Sequence, residues 1–217
     1  MAADGKYRFR VDLHVHTRRY SPCAESLDPR QLGKTMTAYR LDGVVITEHD
    51  QLWPVEDIAA LNHPLRKKRI YRGVEISSSN GHFIVIGLNN LNGIEPGIAI
   101  DKLIAHIEPQ GAAIIWAHPY LNYCSTPSPL TGYTLPDGLH AVEVASGVTT
   151  GKATTAGRAM ARLMGWSAVG GSDAHTPRQV GCAYTLLNEL PENEEILAAV
   201  IRNGYCKARH RRNKPGR

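Results

Sequence analysis

The 217-residue sequence has no apolar run near the roughly 18 residues that a membrane span needs. Its opening residues, Met1 to Lys6, have no apolar centre, so they read as no secretory leader. Four cysteines (Cys23, Cys124, Cys182 and Cys206) are scattered and form no Cys-x-x-Cys pair. That argues against a zinc ribbon and predicts reduced thiols in a cytoplasmic protein. No Gly-rich phosphate loop of either common type is present, which disfavours nucleotide-cofactor sheets. The net charge is +5, and six of the 25 Lys and Arg residues fall within 207–217. The remainder is close to neutral, so its partners need not be polyanions. We expect one domain over residues 1–206, long enough to bury a core. Residues 207–217 are expected to be a basic, disordered tail, with contact to a nucleic-acid backbone as the alternative.

What the sequence does have is a set of short apolar runs that end in metal-binding residues. Tyr7–Val11 leads into His14-Val15-His16, and in a strand residues i and i+2 share a face. Gly43–Thr47 ends in Glu48-His49. Arg69–Ile76 contains Glu75, and a turn at 77–81 returns the chain through His82–Leu88 as a hairpin. Ala112–Ala117 ends in His118, Ala141–Ala145 contains Glu143, and Ser167–Gly171 runs into Asp173-Ala174-His175. Cys182–Leu187 is expected to be the last strand. Helical spacing predicts helices over residues 29–40, 54–61, 96–107, 152–164 and 191–202, the first of them with Asp28 as cap and Pro29 at its first position. Residues 121–138 are rich in Ser, Thr, Pro and Gly and form a long loop, where substrate selectivity is expected. Strands alternating with helices predict an α/β fold with a parallel sheet. A closed barrel brings all the strand ends to one face, whereas an open sheet spreads them along an edge.

The candidate ligands are His14, His16, His49, Glu75, His82, His118, Asp173 and His175. Six of the ten histidines are in this set. Imidazole with carboxylate suits zinc, manganese or iron. Eight ligands exceed the four of one tetrahedral site, which implies at least two metals. Paired metals are a common device for in-line attack on a phosphorus ester.

In order, Asp12-Leu-His-Val-His-Thr17, Ile46-Thr-Glu-His-Asp50, Gly73-Val-Glu-Ile76 with Gly81-His82, Ala117-His-Pro119, Val142-Glu-Val144 and Gly171-Ser-Asp-Ala-His175 resemble the PHP (polymerase and histidinol phosphatase) family over about residues 8–188. The resemblance implies a single-domain, distorted (β/α)7 barrel with two or three divalent metal ions at its strand ends. It implies that His14, His16 and Asp173 hold one metal. Glu75 would bridge to a second, held by His82 and His118. His49 and His175 would hold a third or contact phosphate. Two departures from the family pattern stand out. Ser21-Pro22-Cys23 replaces a Ser-Asp step near the third site, where Cys23 or Glu25 would have to substitute. Glu48 also replaces the aspartate before His49, whose ring it would then orient.

The expected chemistry is hydrolysis of a phosphate ester by a metal-activated water. Asp173, His175 and His49 are the catalytic candidates, the first two for proton handling. Arg18, Arg19 and Arg178 are candidate phosphate contacts. Asp12 is expected to orient the His14 ring, and Glu143 to be a supporting or interior polar residue. Trp53 and Trp116 read as packing residues; His63, His106, His140 and His210 read as ordinary surface or helix-face residues. The expected partner is a small phosphorylated metabolite or nucleotide, with no membrane contact. Histidinol-phosphate phosphatase, a nuclease and a non-catalytic metal-stabilised binding module remain as alternatives.

Overall fold

The computed structural model describes residues 7–119, 137–149 and 151–211. Six strands point the same way: β1 (Phe9–Val15), β2 (Gly43–His49), β3 (Arg69–Ser78), β5 (Ala113–Trp116), β6 (Ala141–Ala145) and β7 (Ser167–Gly170). Between β3 and β5, β4 (Gly81–Ile86) runs antiparallel as the return of the expected hairpin. β8 (Ala183–Leu187) pairs antiparallel with β1, and β9 (Cys206–His210) antiparallel with β8. The sheet order is β7-β6-β5-β4-β3-β2-β1-β8-β9. β7 packs beside β8 and β9, where the Thr185 hydroxyl meets both the Gly170 N–H and the Gly170 carbonyl at 2.8 Å. The result is a nearly closed, distorted α/β barrel.

The helices are α1 (Leu32–Tyr39), α2 (Val55–Asn62), α3 (Ile100–Ile107), α4 (Gly151–Met164) and α5 (Glu194–Arg202). Asn193 caps α5 by accepting from the Ile196 N–H, which starts the helix at Glu194, three residues inside the expected start. Leu197, Ala198 and Ile201 then face inward at helical spacing. They pack with Val11, Leu13, Val45, Ile84, Ile115 and Val169. Ser167, at the start of β7, donates to the Ile201 carbonyl at 2.6 Å, and Tyr71 donates to the Pro191 carbonyl. α5 therefore stops the barrel at the amino ends of its strands, leaving the carboxyl ends for the site.

Two further sequence expectations change. α3 begins at Ile100 rather than 96, because residues 97–98 bond the hairpin: Gly97 N–H donates to the Ser77 carbonyl, and Ser79 N–H to the Ile98 carbonyl. The sheet holds nine strands among the described residues and keeps the expected distorted α/β barrel. Residues 207–210 are no tail: with Cys206 they form β9, which buries Cys206 and Ala208 and pairs fully with β8. Alternation of small apolar and basic residues over five positions is a strand signal that the charge count hid. Residues 212–217 and most of the loop 121–138, including Tyr120, Tyr123, Cys124 and Tyr133 beside it, lie outside the described residues. No described helix is long and apolar enough to cross a membrane.

Candidate metal centre

All eight candidate ligands meet at the carboxyl ends of the strands. His14 Nε2 and His16 Nε2 face each other at 3.1 Å. Glu75 Oε2 lies 3.4 and 3.3 Å from them, and Asp173 Oδ1 lies 3.5 and 3.4 Å from them. Bond lengths of about 2.0–2.1 Å in a tetrahedral zinc site place neighbouring ligand atoms about 3.3–3.4 Å apart. On the other side, Glu75 Oε1 lies 3.1 Å from both His82 Nδ1 and His118 Nε2. His16, His49 and His175 form a further group, with His16 stacked between the other two rings at centroid distances of 4.3 and 4.5 Å.

The chemistry of this donor set suits cations. Glu75 is buried, and its Oε2 takes part in no hydrogen bond, although three imidazole nitrogens surround it; His49 Nδ1 is nearest at 2.9 Å. Two ring nitrogens at 3.1 Å repel unless a proton or a cation lies between them. Burial by itself would lower the His14 pKa, but the carboxylates of Glu75, Asp173 and Glu143 raise it well above the usual imidazole value. Burial likewise opposes ionisation of Glu75 and Asp173, and the facing histidines hold both carboxyls low. His175 is pushed down by burial and by His16. Its Nδ1 donates to the Asp173 carbonyl at 3.0 Å, which leaves Nε2 with the lone pair.

Local backbone geometry aims these groups. β1 slips register between Asp12 and Val15, so the strand bulges at the first ligand. His118 and Asp173 have positive φ, 27° and 52°, unusual for residues with a side chain. Each is over-determined by its surroundings. Glu143 Oε2 accepts the His118 N–H at 3.1 Å. The Asp173 turn is sewn to β1: His16 N–H donates to the Ala174 carbonyl, Ala174 N–H to the His14 carbonyl, and the Ser172 hydroxyl to the same His14 carbonyl. Gly171 permits this approach, since a Cβ there would lie 2.5 Å from His14 Cβ and 2.7 Å from Glu143 Oε1.

The supporting carboxylates differ from the sequence expectation. Asp12 does not reach the His14 ring. The bulge turns it to the backbone, where it accepts from the N–H groups of His14, Ser172 and Gly181. Its burial raises the carboxyl to about 6 despite those bonds. Glu143 Oε1 occupies the expected place instead, 3.2 Å from His14 Nδ1. Glu48 does not hold His49; it accepts from Thr17 N–H, the Thr17 hydroxyl and Trp53 Nε1, locking the loop after β1. Trp53 and Trp116 are both buried, and neither His63, His106, His140 nor His210 belongs to the cluster.

The arginines divide. Arg18 pairs with Asp28 at 2.5 Å and Arg19 with Asp57 at 2.7 Å. They line a cavity of about 430 Å³ with Arg30, Trp53 and Leu61, and no cluster histidine lines it. Arg178 is exposed on the loop that follows His175. Cys23 is exposed and, like Glu25, belongs to none of the described ligand groups.

A nearly closed barrel with a His/Glu/Asp cluster at its strand ends defines a PHP-type fold with a candidate metal centre. A model of a family described as PHP-associated matches residues 152–206, from α4 to the start of β9. No curated protein matches the chain. A two-domain protein from Bacteroides vulgatus, containing a predicted PHP-like metal-dependent phosphoesterase, aligns with a TM-score of 0.67 at 21% identity. That alignment covers 93% of this chain and 64% of the other, so the chain spans under two thirds of that protein. A provisionally assigned metal-dependent phosphoesterase from Bifidobacterium adolescentis aligns at 0.65 and 15% identity, over 88% and 96% of the two chains. A lesion-specific endonuclease from Pyrococcus furiosus aligns at 0.64 and 16%, over 92% and 57%. The chain therefore has the fold of these PHP-like proteins.

Proposed function

We propose that this protein is a metal-dependent phosphoesterase that hydrolyses a small phosphorylated metabolite or nucleotide. The observation that carries the reading is the convergence of His14, His16, Glu75 and Asp173 donor atoms around one point, with Glu75 Oε2 buried and engaged in no hydrogen bond. His14, His16 and Asp173 would hold one divalent ion, and Glu75, His82 and His118 a second. His49 and His175, with His16, would hold a third. Manganese, zinc and iron all suit these donors. Cations bound there would supply a nucleophilic hydroxide near neutral pH and offset the charge on phosphoryl oxygens.

The chain's own residues do the rest. Asp173 and Glu75 set the negative charge that gathers the cations. Burial and His16 push the His175 pKa down and its Nε2 presents a lone pair, so it is suited to accept a proton from the attacking water. His49, against Glu75, is a second proton-handling group beside the same point. Arg178 is the remaining phosphate contact, since Arg18 and Arg19 are engaged by Asp28 and Asp57. A nuclease is the second reading, and the basic residues of β9 favour it.

The test is to load the protein separately with manganese, zinc and iron(II), count metal per chain, and assay p-nitrophenyl phosphate and bis-p-nitrophenyl phosphate. We expect at least two ions per chain, with ester hydrolysis that Asp173→Asn abolishes. A fully loaded protein that hydrolyses neither these esters nor a panel of phosphorylated metabolites and nucleotides would leave only the binding-module reading.

A further inference from the structure

β8 and β9 present a surface that the metal cluster does not use. Ala183, Thr185, Leu187, Cys206 and Ala208 are buried, whereas the alternate residues Tyr184, Leu186, Lys207 and Arg209 are half-buried or exposed. The register places Arg10 beside Leu186, Leu186 beside Lys207, and Tyr184 beside Arg209. These side chains therefore share the outer face of the barrel. Arg8 is exposed just before β1, and Arg211 follows β9 at the opposite end.

Counter-charge is sparse on this wall, although Asp42 accepts the Arg10 backbone N–H at 2.9 Å. β8 and β9 contain no acidic residue, and the one in β1, Asp12, is buried. Among the described residues, none of Arg8, Arg10, Lys207, Arg209 or Arg211 forms an ion pair with a carboxylate. Three of the cations are instead held over aromatic rings: Lys207 over Tyr7 at 4.3 Å, Arg10 over Tyr184 at 5.4 Å and Arg211 over Tyr39 at 4.2 Å. Five like charges along β1, β9 and their ends repel one another, and a polyanion relieves that repulsion while releasing its own counterions.

The wall also has a direction. β9 runs the same way as β1, so its carboxyl end is on the side of the cluster. There the Arg211 guanidinium donates to the carbonyls of Val180 and Arg178, in the loop that follows His175. Anionic membrane is the less suitable partner, because a surface helix or strand that lies in lipid also needs apolar side chains to insert. Of the exposed large hydrophobics, Val55, Val148, Leu163, Met164 and Ile196 lie outside these strands, and Tyr205 alone, just before β9, adjoins the wall.

We propose that the outer wall of β1, β8 and β9 binds the phosphate backbone of a polynucleotide, with Arg8, Arg10, Lys207, Arg209 and Arg211 as its contacts. Docking on the wall is independent of hydrolysis; delivery of the strand to the cluster rests on the phosphoesterase reading.

The experiment is fluorescence anisotropy of the metal-loaded full chain with a fluorescein-labelled single-stranded oligonucleotide over a salt series. Five phosphate contacts predict a slope of log affinity on log salt of about −3.5, at roughly −0.7 per contact for a single strand. The double variant Lys207→Glu, Arg209→Glu should bind at least about tenfold more weakly, and Lys207→Ala, Arg209→Ala should flatten the slope by about 1.4. Both residues are exposed, so the melting temperature, metal content and bis-p-nitrophenyl phosphate turnover should stay at the parent level. Absence of oligonucleotide binding at low salt, binding untouched by either double variant, or tighter binding to phosphatidylglycerol vesicles than to the oligonucleotide overturns the proposal. Loss of binding in the variants of a protein that cleaves no ester sustains the wall and sinks the phosphoesterase reading.

Discussion

Replacing Glu143 by glutamine tests whether the metal centre is built as its geometry implies. In the parent, one carboxylate oxygen is 3.2 Å from His14 Nδ1 and the other accepts the His118 N–H at 3.1 Å. Both contacts are buried. Once a cation has displaced the other proton, a carboxylate there holds the remaining His14 proton on Nδ1 and leaves Nε2 to face His16, Glu75 and Asp173. Glutamine keeps the volume and has one oxygen. If that oxygen accepts the His118 N–H, the amide NH₂ meets Nδ1 and drives the proton to Nε2, the nitrogen aimed into the cluster. Loss of such an outer partner costs about 10–100-fold in metal affinity, or about 1.4–2.8 kcal/mol at 1.4 kcal/mol per tenfold. Because glutamine still satisfies His118, the metal-free melting temperature should move little. Glu143→Ala, by contrast, leaves two buried polar groups unsatisfied at about 1–3 kcal/mol each, and should lower both affinity and stability. The assay is competitive zinc titration against a chromophoric chelator, beside thermal melts of the metal-free forms. Parent-like zinc affinity in Glu143→Gln would refute the role assigned to this carboxylate.

Other outcomes follow from the same structure. The surrounding carboxylates raise the His14 pKa well above the usual imidazole value in the metal-free protein, so cation uptake expels a proton, and apparent metal affinity should climb as pH rises above about 6.5; titrations in buffers of different ionisation enthalpy check this. The raised His14 and His16 values stabilise the metal-free fold fully below about 6.5 and lose that contribution as pH rises through them. Asp12, raised from 3.8 to about 6, acts in the same direction but over that lower pH range, so metal-free melting temperature should go on falling from pH 6.5 to 9 on account of the histidines. Gly171→Ala, with its Cβ against His14 and Glu143, should cost about 1–3 kcal/mol in chemical denaturation and weaken metal binding. Burial pushes the Cys206 thiol to about 11, so about one molecule in a thousand is thiolate at pH 8. Peptide mapping after iodoacetamide should show exposed Cys23 modified well before Cys206.

Much of the site was legible in the sequence because its signals are local. An apolar run of strand length that ends in His-x-His, His-Pro or Asp-x-His specifies a side chain at a strand terminus, and period two decides which neighbours share its face. Barrel closure then needs no further information to gather eight such residues. The supporting carboxylates were a different matter. Asp12 and Glu143 are alike in sequence context, each between apolar residues on a strand. A register slip in β1 and a contact with Glu143, 129 residues away along the chain, decided which of them meets the His14 ring. Arg18 and Arg19 follow the first ligands directly, yet Asp28 and Asp57 hold them, partners chosen by how α2 and the loop before α1 pack. β9 likewise exists as a strand because β8 offers it a free edge. Local pattern can show which residues reach the top of the barrel; only the packed chain decides which buried charge answers which.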